Sequence, residues 1–205
     1  MNNSTQTLPA GYIQSGQIDL KKDKRLTILL SISVLIVFAL MFYVLSGFTA
    51  LVRPDITNFS ETITIGKLLS ALGLTVIVLI IHEIIHGLFF WIFSHGMPVF
   101  ALRPLYAYAG APTWFFTKRQ YAVTVLGPLV IIGAAGLLLL VLAPISWILM
   151  IAFLVALNTG GAVGDLFIFA RLLKCSPTSF TNGSGDVVTF YERPATLSQR
   201  NQSEQ

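Results

Sequence analysis

The chain has 205 residues, 55% of them hydrophobic and only 11% charged, with a mean hydropathy of +0.77. A soluble domain carries about 25% charged residues, so this composition excludes an ordinary soluble domain and predicts one integral membrane domain. The net charge of +4 comes with no basic patch interleaved with aromatics, so it is not a nucleic-acid signal; the single cysteine, Cys175, excludes an internal disulfide and a Cys-x-x-Cys zinc site.

Residues 1–25 are a polar leader, expected to be loosely held and cytosolic, ending in Lys21, Lys22, Lys24 and Arg25. The apolar run at 26–51 follows. It exceeds the roughly 20 residues that a bilayer needs and is longer than a secretory signal core, so it predicts an uncleaved first transmembrane helix. A short linker carries Pro54 and Asp55, and Thr62-Ile63-Thr64-Ile65 predicts a brief extended piece.

The second span, 67–94, contains His82-Glu83-Ile84-Ile85-His86. Residues four apart share one face of a helix, one turn apart, so His82 and His86 can offer two imidazoles to one metal ion. Glu83 stands where zinc hydrolases keep a general base. His and Glu are costly in a hydrophobic span unless something pairs with them. A metal would offset that cost, so the pattern predicts one zinc. Phe89 and Ile92 stand where a metzincin would have Gly and a third His, which excludes that class. His95 lies about 13 Å further along a helix rising 1.5 Å per residue, too far to share the ion.

The span ends at His95-Gly96-Met97-Pro98. Residues 95–120 are aromatic but broken by Gly96, Pro98, Pro104, Gly110 and Pro112, which argues against a spanning helix. Strands at 99–102 and 106–109 predict a re-entrant or interfacial β-hairpin. Irregular backbone at membrane depth must lie against protein or water.

The third span is expected at 121–142, with Gly127-Pro128 as a kink or a late helix start, and the fourth at 147–173. Residues 174–205 form a polar cytosolic tail with a short strand near 186–191. The fold class is therefore an all-α membrane protein of four transmembrane helices, with the hairpin between the second and third. With both termini cytosolic, 11 of the 13 basic residues fall inside and only Arg53 and Lys67 outside, as the positive-inside rule requires.

A catalytic zinc takes three protein ligands and a water. Besides Glu83, the only acidic residue in the spans is Asp165, at the end of Asn158-Thr159-Gly160-Gly161-Ala162-Val163-Gly164-Asp165. His86 and Asp165 fall at similar depth in the inner leaflet, which makes Asp165 the third ligand; the alternative is a helix-end acid paired with Arg171. Gly160 and Gly164 allow close helix approach. Asn158, two turns before Asp165, either donates its amide to a substrate carbonyl or oxyanion, or makes an interhelical hydrogen bond.

Three stretches match the site-2 protease pattern in order: His82 to His86, Leu126-Gly127-Pro128-Leu129, and Asn158 to Asp165. Over about 80–173 the chain resembles intramembrane zinc metalloproteases of that type, through a small bacterial membrane branch described as "putative zincin peptidase". It departs from N-x-x-P-x-x-x-x-D-G: Gly161 replaces the Pro, Asn and Asp are seven apart instead of eight, and Leu166 follows the Asp. The resemblance implies hydrolysis of peptide bonds in membrane-embedded protein or peptide substrates near the cytosolic leaflet. It also implies that substrate lies as an extended strand against 95–120. Two other classes stay open: a non-catalytic zinc-binding membrane scaffold, and a metal transporter.

Overall fold

A computed structural model describes residues 4–55, 62, 64–102 and 107–194. Its helices follow the apolar runs. Helices α1 (Lys24–Val52), α2 (Ile65–Ser94) and α3 (Lys118–Leu142) are each long and apolar enough to cross a bilayer. Within α1 only Leu45 and Thr49 are buried, while Leu29, Leu35, Ile36 and Leu40 are exposed. A helix apolar all round needs a non-aqueous surround.

The fourth expected span is not one helix. Helices α4 (Ile145–Gly161) and α5 (Val163–Leu173) meet at Ala162 with a bend of 43°. Glycine is a poor helix former, and Gly160-Gly161 sits at the break. The Ala162 N–H donates to the Asn158 carbonyl at 3.0 Å and closes the last turn of α4. The chain thus has three helices that can span, or four spans if the bent pair acts as one. Asn158 and Asp165 lie on different helices, so the two-turn spacing does not put them on one face.

The expectation of an all-α fold is also corrected. The described residues form two antiparallel sheets. Where the hairpin is expected, β2 (Val99–Leu102) and β3 (Ala107–Gly110) pair antiparallel, with Val99 opposite Gly110; the expected strand start at Tyr106 lies outside the described residues. The second sheet has four strands in the order β1-β6-β5-β4. Strand β1 (Ile13–Asp19) pairs with β6 (Val187–Glu192), and β5 (Phe180–Gly183) joins β6 to β4 (Phe116–Thr117). So the leader is not loose over 13–19. Its side chains are mostly polar, but as an edge strand it turns alternate backbone donors and acceptors toward β6. The expected extended piece at 62–65 is not seen: Ile65 opens α2, and Ile63 lies outside the described residues.

The chain forms two compact units. One comprises Met1–Thr27, Glu83–Leu126 and Asp165–Gln205. Its core gathers Phe90, Phe116, Tyr121, Leu172 and Phe190 beneath the four-stranded sheet. In it Arg171 lies over the Phe190 ring, 5.8 Å from the centroid, and against Gly16; it does not pair with Asp165. The other unit comprises Ile28–His82 and Gly127–Gly164. Its core is Leu45, Leu140, Ile148, Ala152, Val155 and Ala156. Small residues set its helix spacing. A Cβ on Gly136 would come within 2.1 Å of Val155, and one on Gly160 within 2.9 Å of the Val34 carbonyl oxygen. Gly164 meets nothing within 4 Å, so only the first glycine of the Gly-x-x-x-Gly marks a close approach. Arg53 donates to the Val141 and Ala143 carbonyls at 3.2 and 2.9 Å, satisfying acceptors that the end of α3 leaves open.

Candidate metal centre

Helix α2 runs unbroken through the His-Glu-x-x-His stretch, so the one-turn spacing of His82 and His86 is a property of that helix alone. Both histidines are buried, while Ile81 and Ile84 between and beside them are exposed. The polar face is turned inward and the apolar face outward, the reverse of a helix in water and the arrangement a lipid-facing helix needs.

Asp165 lies in the first turn of α5, where the helix dipole favours a carboxylate. Its Oδ1 lies 3.4 Å from His86 Nε2. The ligating atoms of His82, His86 and Asp165 all lie within 4.8 Å of one another. Tetrahedral zinc with ligand bonds of 2.0–2.1 Å holds neighbouring ligand atoms about 3.3 Å apart, so the His86–Asp165 spacing fits. Among the described residues this group has three members and no fourth.

The far nitrogens of both imidazoles are engaged. His82 Nδ1 is 3.0 Å from Asn158 Oδ1, and His86 Nδ1 is 2.9 Å from the Thr124 carbonyl oxygen. A carbonyl oxygen can only accept, so each Nδ1 carries the proton and donates. That leaves the Nε2 lone pair of each ring as the ligand. Zinc-binding histidines are held by such partners, which fix tautomer and ring orientation. The residues present therefore fit a zinc ion, with Nε2 of His82, Nε2 of His86 and a carboxylate oxygen of Asp165 as its holders.

All five sequence-predicted site residues have a place in this picture. His82, His86 and Asp165 come together, and Glu83 is partly buried on the same turn of α2. Asn158 approaches His82 through its oxygen, not through the amide. Its Nδ2 is buried and has no hydrogen-bond partner among the described residues. His95 lies beyond α2 with φ of 55° and donates its N–H to the Trp91 carbonyl at 2.7 Å, a left-handed helix stop.

One participant was missed. Thr124 acts through its main-chain carbonyl, for which residue type gives no signal. A neighbour of the helix was missed too: Phe100 on β2 packs against Gly87, where a Cβ would come within 2.3 Å of the ring. The signal was there: a glycine immediately after the second histidine of an apolar helix marks a close neighbour.

The sequence profile of a family described as "Putative zincin peptidase" matches residues 75–180. The chain belongs to that family. The match spans every residue of the metal centre and leaves out α1 and β6. Membership in a zincin peptidase family implies zinc and points to a metallopeptidase. No curated protein and no solved structure matches the chain.

Proposed function

We propose that this zincin-family chain is an intramembrane zinc metallopeptidase of the site-2 type, hydrolysing peptide bonds of membrane-embedded substrates near the cytosolic leaflet. The observation that carries the reading is the convergence of His82, His86 and Asp165, each histidine oriented through Nδ1, with Glu83 next to His82 on an apolar helix. His82, His86 and Asp165 would hold zinc, which would supply Lewis-acid chemistry at this site. Glu83 takes the proton of the attacking water and later passes it to the leaving amine, as the C–N bond breaks into a carboxylate and an amine. Asn158 Nδ2, which has no hydrogen-bond partner among the described residues, would donate to a substrate carbonyl oxygen while Oδ1 holds His82. A structural zinc site would have four protein ligands; the three-membered group favours catalysis over the scaffold reading.

We place both termini in the cytosol, with α4 and α5 together as the fourth crossing. The strand order supports a common side for the termini and a fourth crossing, and the basic residues give the side. Strands β1, β4, β5 and β6 come from before α1, between α2 and α3, and after α5, yet share one sheet. A shared sheet keeps all three segments on one side, which needs an even number of crossings between each pair.

The test is Glu83→Gln, close to isosteric and unable to transfer the proton. It keeps about one zinc per chain and loses cleavage of a membrane-embedded substrate by 10²–10⁴-fold, roughly the contribution of a general acid–base group. Asp165→Asn loses zinc and cleavage together. Zinc content and cleavage are read side by side in liposomes. Wild-type rates in Glu83→Gln would sink the mechanism. Zinc retained by wild type, with no cleavage across a panel of membrane-spanning peptides, would move the assignment to a scaffold.

A further inference from the structure

We infer that Pro128 is a positioning residue of the metal centre, acting by what it lacks. In an α-helix the N–H of residue i donates to the carbonyl of residue i−4. Pro128 lies inside α3, and its i−4 residue is Thr124. Proline has no N–H, and its ring pushes against the i−4 carbonyl. So the Thr124 carbonyl lacks the donor that the helix would otherwise give it. A buried carbonyl without a partner is costly, and Thr124 is fully buried. The donor it finds is His86 Nδ1, at 2.9 Å.

The arrangement is reciprocal. His86 satisfies the acceptor that Pro128 orphans, and the carbonyl fixes His86 as the Nδ1–H tautomer with Nε2 toward Asp165, 3.4 Å away. The partner is backbone in a helix, so it cannot rotate or flip as an amide side chain can. The Thr124 hydroxyl plays no part in this, because it donates to the Gln120 carbonyl at 3.0 Å. Gly127-Pro128 lies inside α3 and so is not a late helix start; in this reading it is the device that turns a main-chain carbonyl into a ligand orienter. Any residue with an N–H at 128 competes with His86 for that carbonyl.

This inference rests on the assignment of His86 as a metal ligand, and its test separates the two. The full-length chain in detergent is titrated with zinc against a chelator of known affinity. Pro128→Ala restores the helical donor, and zinc affinity falls 10–100-fold, roughly the cost of losing a ligand's orienting partner. A second variant puts the α-hydroxy analogue of alanine at 128, giving an ester in place of the amide. It lacks both the N–H and the ring, and it restores affinity to within about threefold of wild type if the missing donor is what matters. The ¹⁵N spectrum of the His86 ring in the metal-free chain reads the tautomer directly: Nδ1–H alone in wild type and the ester, mixed in Pro128→Ala. Wild-type affinity and a pure tautomer in Pro128→Ala would overturn the inference. So would an ester as weak as Pro128→Ala, since the ring would then be the cause. Because the tautomer is read without zinc, a wild type that binds no zinc overturns the metal-centre assignment while the role of Pro128 is still decided.

Discussion

Asn158 has two hydrogen-bonding ends, and their surroundings differ. Its Oδ1 accepts a hydrogen bond from His82 Nδ1–H at 3.0 Å, and its buried Nδ2 has no partner among the described residues. A buried unpaired amide donor costs about 1–3 kcal/mol, and such a cost persists where function uses the group. Asn158→Ala removes the orienter of His82. Zinc affinity, measured by chelator competition in detergent, is expected to fall about 10–100-fold. Asn158→Asp keeps an acceptor for His82 Nδ1 and so retains affinity, while losing the amide donor and with it the cleavage rate. Equal zinc affinity in wild type and Asn158→Ala would show that His82 is oriented by something else.

At the scale of elements, glycines decide how closely helices approach. Gly133 and Gly136 are both inside α3, one turn apart. Alanine in either place raises helix propensity by up to about 1 kcal/mol. Their surroundings differ. A Cβ at 136 runs into the Val155 side chain at 2.1 Å, whereas one at 133 meets nothing within 4 Å. Gly136→Ala is therefore expected to cost about 1–3 kcal/mol through overpacking, and Gly133→Ala to be neutral or stabilising. Thermal unfolding in detergent compares the two. If both shift the midpoint alike, contact between α3 and α4 does not depend on the glycine. The bend at Ala162 is the other decisive element feature, because it gives Asp165 a helix N-terminus of its own.

For the whole molecule, the sheet that unites β1, β4, β5 and β6 makes a topology prediction. In a Cys175→Ala background, Asn58→Cys is labelled from outside by a membrane-impermeant maleimide, and Lys174→Cys only after lysis. Cys175 itself should contribute little even where it is kept. Its thiol is buried, burial pushes its pKa up, and nearby Glu192 adds to this. Less thiolate forms near neutral pH than on an exposed cysteine, so alkylation is slow there and speeds up as pH rises. Labelling of Lys174→Cys in intact cells would reverse the orientation.

The sequence by itself determined the membrane class, the three uninterrupted helices and the histidine pair, because composition, run length and i, i+4 spacing are local quantities. It also singled out Asp165, since acids are scarce in apolar spans. It did not determine that residues 13–19 form a strand. That depends on a partner, β6, some 170 residues away in the chain, and polar strands carry no apolar alternation to announce them. It did not determine the break between α4 and α5, because Gly160-Gly161 permits a helix as well as a bend and only packing chooses. Nor could it show that Asn158 faces His82 through oxygen, or that His86 leans on the Thr124 carbonyl. Those are orientations of one group toward another across the fold, and only the tertiary structure brings both ends of each bond together.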